Sequence, residues 1–147
     1  MFEAVHRHAD ESDVCVLCAA VADYKLAQVS PVKIKKRADG ISIELVPTRD
    51  ILQSLGRQRA RKFLLVGFAA ETEHLEANAT NKLREKNCDI IVANDARIAM
   101  ETDENELLIL FRDGETKKIS RAPKQFLARE LVKIFQDSQQ KRLTKKM

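Results

Sequence analysis

Residues 66–95 read VGFAAETEHLEANATNKLREKNCDIIVAND, and this stretch decides the fold class. It completes an apolar, strand-like run, LLVGF at 64–68, which breaks into the small residues Ala69 and Ala70. A helical segment carrying Lys82 and Lys86 follows, and a second apolar run, DIIVAND at 89–95, comes at once after it. Strand, helix and strand within about thirty residues predict the βαβ unit of a parallel sheet. In open parallel sheets ligands bind outside the carboxyl ends of the strands. Here those ends are residues 67–71 and 93–95, small and polar enough to admit a ligand. Lys82 and Lys86 are four apart and so share a helix face. Two ammonium groups beside such a crevice suit a polyphosphate, although on spacing alone a solvated lysine pair is the commoner explanation.

Working outward, the 147 residues predict a single domain, and a hydrophobic content of 44% is enough for one ordinary core. The 26 Lys and Arg against 22 Asp and Glu leave +4, a balance that favours anionic small molecules as readily as nucleic acid. One Tyr and no Trp argue against base-stacking platforms. A nucleic-acid partner ranks last, because the cationic cluster at 33–37 and the basic tail at 141–147 are separate and lack aromatic companions. No apolar run approaches bilayer length and no signal-peptide pattern opens the sequence, so no membrane partner is expected and the cytoplasm is the default location. Three cysteines, an odd number, speak against a disulfide framework. Cys15 and Cys18 form C-x-x-C inside VCVLCAAV and are read as small buried hydrophobes rather than zinc ligands. His6, His8 and His74 are scattered and read as surface positions on helices.

Phe2 and Val5 have helical spacing within 1–9. Residues 13–20 are an apolar run bracketed by charge, the pattern of a strand buried on both faces. The stretch 22–37 lacks periodicity and predicts a long loop, of the kind that is commonly functional in compact domains. Alternation of Ile41, Ile43 and Leu45 predicts a half-exposed strand at 41–46. A helix is expected over 50–61, with Thr48 or Asp50 as N-cap. Leu75, Ala79 and Leu83 form the apolar line of the central helix. Residues 96–105 read as irregular, and strands at 107–111 and 116–119 join through Asp113-Gly114, a strong hairpin signal. An amphipathic helix covers 124–139 through Phe126, Leu127, Leu131, Ile134 and Phe135.

The sequence has only 4 glycines and neither G-x-G-x-x-G nor a Walker-type loop, which a parallel α/β nucleotide binder usually carries after its first strand. Four ordered segments bear on that absence: AAVADY (19–24), KIKK (33–36), GFAAET (67–72) and VAND (92–95). Together with Lys82 and Lys86 they closely resemble phosphopantothenoylcysteine synthetase, the phosphopantothenate–cysteine ligase of coenzyme A biosynthesis. No one segment is specific; the ordered set with its spacings is, and it covers nearly the whole chain.

The resemblance implies a Rossmann-like α/β fold, a mostly parallel sheet flanked by helices with a C-terminal antiparallel hairpin, over residues 1–140. It implies a ligase that activates the carboxylate of 4′-phosphopantothenate with CTP and Mg²⁺ as an acyl-cytidylate, which the amine of L-cysteine then attacks. By motif, Asp23 and Lys33 belong to the nucleotide site, with Lys33 leading a catalytic flap. Thr48, Arg49, Asp50 and Ile51 align with a segment that contacts base and sugar. Phe68 lies at the base end, Lys82 and Lys86 reach the triphosphate, and Ala19 and Ala20 lie where backbone approaches substrate. Asp23 is the candidate for the metal or a nucleotide hydroxyl; a turn-capping carboxylate explains it structurally, as a solvated flap residue explains Lys33. A homodimer is implied as well.

The sequence departs from that family in two places. Met1 aligns inside a helix, so the family's first strand and Ser-Ser-Gly-x-x-Gly loop have no counterpart, and the expectation is that the isolated chain does not complete the ligation without a segment or separate chain carrying that loop. Thr48-Arg49-Asp50-Ile51 stands where the family often has Asn-Pro-Asp-Ile. The competing expectation from another class is a non-catalytic nucleotide-binding or dimerising remnant of the same fold.

Overall fold

The βαβ unit forms where the two apolar runs predict it. The computed structural model of the chain describes residues 1–36, 40–99 and 102–144. Arg37 of the cationic cluster, residues 100 and 101 of the irregular stretch, and the end of the basic tail at 145–147 lie outside the described residues. In chain order the elements are α1 (Phe2–Ala9), β1 (Val14–Leu17), β2 (Tyr24–Leu26), β3 (Leu45–Pro47), α2 (Ile51–Gly56), β4 (Leu64–Glu71), α3 (Leu75–Glu85), β5 (Ile90–Asp95), α4 (Ala96–Ala99), β6 (Glu104–Phe111), β7 (Thr116–Pro123) and α5 (Lys124–Thr144). They fall into two compact units, one made of Met1–Cys18 and the chain from Ile51 onward, the other Ala19–Asp50.

The first unit holds a five-stranded mixed sheet in the order β1-β4-β5-β6-β7. The strands β1, β4 and β5 run parallel, with Val14 opposite Leu64 and Val66 opposite Ile90. The pairs β5–β6 and β6–β7 are antiparallel. The β6–β7 turn needs a left-handed residue after Asp113, and Gly114 supplies it at φ +93° without a Cβ penalty. Its N–H donates to Phe111 O at 3.0 Å, and Asp113 Oδ1 accepts the Glu115 N–H at 3.2 Å.

Alternation along the strands divides the core between the two sheet faces. Phe63, Leu65 and Ile91 pack with Leu55, Ala79 and Leu83 beneath α1, α2 and α3. Leu64, Val66, Ile90 and Val92 pack with Leu127, Leu131, Ile134 and Phe135 beneath α5. Because both faces are covered, the central strands are continuously apolar rather than alternating, as parallel strands in layered α/β folds are. Each fully buried Ile or Leu contributes on the order of 2 kcal/mol by leaving water. The helix α3 is capped by Lys86 and turns through Asn87, whose φ of +52° is one of the two non-glycine positive values among the described residues.

The strand β1 differs from its expectation. It is the edge of this sheet, pairing with β4 alone, so Val16 is 42% exposed and the other three residues are only half-buried. Cys15 is correspondingly half-buried and Cys18, just past the strand, exposed, so neither has the buried position expected of it, whereas Cys88 is buried. The helix expected over 50–61 stops at Gly56, where an added Cβ would fall 1.8 Å from Lys86 O. There α2 meets the end of α3 backbone to backbone. A short helix, α4, occupies part of the stretch read as irregular, and α5 runs past 139 to Thr144, so Lys141 and Arg142 of the basic tail are helical.

The second unit is a two-stranded antiparallel ladder in which Tyr24, Lys25 and Leu26 of β2 pair with Pro47, Val46 and Leu45 of β3. The segment read as a loop therefore contains a strand. The alternating segment 41–46 enters the ladder only through its last two residues, Leu45 and Val46, and Ile41 and Ile43 are exposed. No described helix is long and apolar enough to cross a membrane.

Candidate functional site

The crevice dictated by this topology lies at the carboxyl ends of β4 and β5. The pairing of β1 with β4 stops at Leu17 opposite Gly67, whereas β4 continues beside β5 to Glu71 opposite Asp95. Residues 68–71 thus have a strand on one flank only. Small side chains at Ala69 and Ala70 keep the strand end low. Glu71 Oε2 accepts from Asn78 Nδ2 at 3.1 Å, tying the first turn of α3 to the end of β4. Across the crevice, Asp95 Oδ1 accepts the Arg97 N–H at 2.9 Å and Arg97 Nε at 3.1 Å, and Oδ2 accepts Arg97 Nη2 at 2.6 Å. These hydrogen bonds hold the Asp95 carboxyl below its ordinary value. Arg97 was not singled out in the sequence; its signal is the Asp-x-Arg spacing directly after an apolar strand. Asn94, buried, donates a long 3.4 Å hydrogen bond from Nδ2 to Asp95 O.

In the second unit the structure brings Asp23 and Thr48 together. The Thr48 N–H donates to Asp23 O at 2.8 Å, and Thr48 Oγ1 donates to Ala22 O at 2.7 Å. The hydroxyl expected to cap α2 instead closes the β2–β3 ladder. Ala19, Ala20, Asp23, Lys33, Arg49 and Asp50 are all exposed in this unit, and Lys33 lies outside regular structure.

In the first unit Ile51 is buried beside Leu55 under the sheet. Phe68, half-buried, packs against the cluster beneath α5. Lys82 and Lys86 are one turn apart, the Lys86 N–H donating to Lys82 O at 3.0 Å, and both are half-buried. They sit on the opposite sheet face from the Phe68 ring. They also occupy the last turn of α3, which leads through the Cys88 N–H to Leu83 O hydrogen bond (3.1 Å) and the Asp89 N–H to Leu65 O hydrogen bond (2.9 Å) toward the beginning of β4. The expectation that this pair lies beside the strand-end crevice is therefore corrected: a crossover helix runs antiparallel to its strands, so residues in its last turn descend away from their carboxyl ends. Beside Lys82, burial pushes the Cys88 thiol up to about 12, with Arg61 opposing and Asp89 adding to the shift before the smaller effect of Lys82. Among the histidines, His6 is no bystander. Its ring bonds Phe2 O and Ser54 Oγ, each at 2.9 Å, and stacks on Phe2, joining α1 to α2.

Among the described residues no three His, Cys, Asp or Glu side chains converge as a metal site. The donor set fits Mg²⁺ only as the partner of a phosphorylated ligand, because Mg²⁺ keeps its waters and binds through one or two carboxylates plus substrate phosphates. Asp23 offers one such exposed carboxylate.

The sequence profile of the DNA/pantothenate metabolism flavoprotein C-terminal domain family matches residues 1–138. A Haemophilus influenzae protein named coenzyme A biosynthesis bifunctional protein CoaBC is 39% identical over 145 residues, covering 97% of this chain and 36% of the relative. Its Bacillus subtilis namesake is 42% identical over 122 residues, covering 81% of this chain and 30% of the relative. The chain thus spans about a third of the length of these curated relatives. Among solved structures, the C-terminal domain of a CoaBC protein is 40% identical with a TM-score of 0.71, covering 90% of this chain and 57% of that one. A Cab2 mutant in complex with phosphopantothenate-cysteine has a TM-score of 0.67 at 19% identity, covering 92% of this chain and 49% of that one, and shares the fold.

Proposed function

The chain belongs to the DNA/pantothenate metabolism flavoprotein C-terminal domain family, and from that premise we propose that it carries the nucleotide-handling part of a CTP-dependent phosphopantothenate–cysteine ligase of coenzyme A biosynthesis, acting in the cytoplasm. One observation carries the reading. The motif segments at 67–72 and 92–95 fall on the paired carboxyl ends of β4 and β5, in a chain that matches a solved CoaBC C-terminal domain at 40% identity and a TM-score of 0.71.

In this reading the carboxylate of 4′-phosphopantothenate attacks the α-phosphorus of CTP. An acyl-cytidylate forms as the bond to the departing pyrophosphate breaks. The amine of L-cysteine then attacks the acyl carbon, the amide forms, and CMP leaves with the bonding electron pair. Negative charge builds on pyrophosphate in the first step, and fixed cations stabilise it best where water is scarce. The resemblance assigns two such cations to Lys82 and Lys86; since they lie down α3 from the strand ends, they would act on the phosphate tail rather than at the strand-end crevice itself. Asp23 would hold a Mg²⁺ ion that arrives with the triphosphate or accept a nucleotide hydroxyl, and the ion would supply further charge neutralisation on the phosphates.

Lys33 stands on an exposed segment suited to closing over the bound nucleotide, which limits hydrolysis of the reactive intermediate. Thr48, Arg49, Asp50 and Ile51 face base and sugar. Of these, Ile51 acts through its main chain, since its side chain belongs to the core. Phe68 likewise contributes main-chain groups, on the flank of β4 that β1 does not cover. Ala19 and Ala20 present backbone to the substrates. A homodimer is the assembly that goes with this reading.

Calorimetric titration of the chain with CTP and Mg²⁺ tests it. Binding is expected, weakened at least about tenfold by the double substitution Lys82→Ala and Lys86→Ala, as loss of two charge-assisted contacts implies. Equal affinity in that variant removes the lysines from the site. Release of pyrophosphate that depends on both CTP and phosphopantothenate separates a ligase from a binding remnant.

A further inference from the structure

At the opposite end of the parallel strands lies a second concentration of charge that the ligase reading does not use. Asp89, the residue before β5, gathers three guanidinium groups from distant segments. Arg61 Nη2 lies 2.8 Å from Asp89 Oδ2, Arg142 Nη1 3.3 Å from the same oxygen, and Arg112 Nε 3.4 Å from Oδ1. The Leu65 N–H also donates to Oδ2, at 2.8 Å. Main-chain carbonyls orient the arginines. Arg112 donates to Asn87 O and Cys88 O, Arg142 to Arg61 O and Phe63 O, and Arg61 to Gly56 O. One carboxylate thus faces three permanent cations, and the Arg61 side chain is only 6% exposed. Arg61 Nε, buried, has no hydrogen-bond partner among the described residues.

The cluster forms the floor of a cleft of about 860 Å³ enclosed by the 57–61 segment, the start of β5, the β6–β7 turn and the end of α5. Seven of its lining residues are Lys or Arg and four are Asp or Glu, an excess of three positive charges. Arg57, Arg59 and Lys141 form an exposed cationic rim. Asp113, Glu115 and Asp137 also line the cleft and lower its affinity for anions without cancelling the excess. Burial draws Arg142 below its ordinary value, with Asp89 opposing and Arg61 and Arg112 adding.

We propose that this cleft is an anion site for a small molecule bearing two or more phosphate groups, separate from the crevice at the carboxyl ends of β4 and β5 and from Lys82 and Lys86, neither of which lines it. Guanidinium groups held in fixed planes suit phosphate oxygens, which they meet in bidentate pairs. The volume is that of a small-molecule pocket. The mixed lining and near-absence of aromatic groups argue against a nucleic-acid strand.

The test uses the full chain carrying Lys82→Ala and Lys86→Ala, so that any binding at the proposed nucleotide site is suppressed. Inorganic tripolyphosphate is titrated calorimetrically, with inorganic phosphate as the second probe. Tripolyphosphate is expected to bind more tightly than phosphate, and its affinity to fall as salt rises. Adding the rim reversals Arg59→Glu and Lys141→Glu should weaken it by about tenfold or more, with the urea midpoint unchanged because neither side chain belongs to the Asp89 cluster. Failure of tripolyphosphate to bind at millimolar concentration, or equal affinity with and without the rim reversals, overturns the proposal.

Discussion

The sheet unit and the Ala19–Asp50 unit differ in what holds them. In β4 and β5 every side chain from Leu64 to Val66 and from Ile90 to Ala93 is buried, and helices cover both faces. In the other unit Val29, Val32, Ile34, Ile41 and Ile43 are each more than half exposed, and the ordered part is a ladder of three-residue strands. A two-stranded hairpin is marginal in water by itself, and segments with few buried contacts open at low free-energy cost. The difference teaches where rigidity and adaptability are spent. Lys82 and Lys86 ride on the buried frame, whereas Asp23, Lys33 and Thr48 ride on the segment with least packing of its own.

The hardest blow to this contrast falls at Asp89. Its replacement by Ala leaves three guanidinium groups facing one another, and urea unfolding should show a loss of about 4 kcal/mol. A loss under about 1 kcal/mol would reduce the cluster to an ordinary surface ion pair. Next comes a matched pair of truncations. Ile91→Ala, at a fully buried position, should cost about 3 kcal/mol. Ile43→Ala, in the exposed segment, should stay within about 0.5 kcal/mol; comparable losses at the two sites would break the comparison.

The smallest effect is a matter of pH. The Cys88 thiol is raised from 9.0 to about 12 by burial, so between those values the folded chain keeps a proton that the unfolded chain has lost. Stability therefore falls as pH rises through that window, by about 1.4 kcal/mol per pH unit from this group. The slope should shrink by that amount in Cys88→Ala, while exposed Cys18 reacts with a thiol reagent in the native state and Cys88 does not. Persistence of the full slope in Cys88→Ala would assign it to other groups.

Legibility followed the same division. Elements that bury a periodic face announced themselves: the runs at 64–68 and 90–93, the Leu75, Ala79, Leu83 line, the α5 stripe, and Asp113-Gly114 at the hairpin. Where tertiary context decides, local pattern misled. The run around Cys15 has the composition of a doubly covered strand, but its place at the sheet edge leaves Val16 in water. Alternation at Ile41 and Ile43 mimics a half-buried strand with nothing packed on it. The loop at 22–37 concealed β2 because a three-residue strand has too few residues to show a period. In the candidate site, residue types were readable but not their side of the sheet. Phe68 and Lys82 part company because one belongs to an even-numbered strand position and the other to the crossover helix. The Asp89 cluster was invisible, since its four members come from segments separated along the chain and no local spacing links them.

The backbone contact between Gly56 and Lys86 has a consequence for how the protein tolerates change. With Lys86 O filling the space a methyl would need, position 56 accepts one residue type unless the far turn of α3 yields. A lineage that altered Gly56 would have to re-aim the peptide that carries the Lys86 ammonium. Selection on the placement of that peptide would thus be felt at a helix end far upstream.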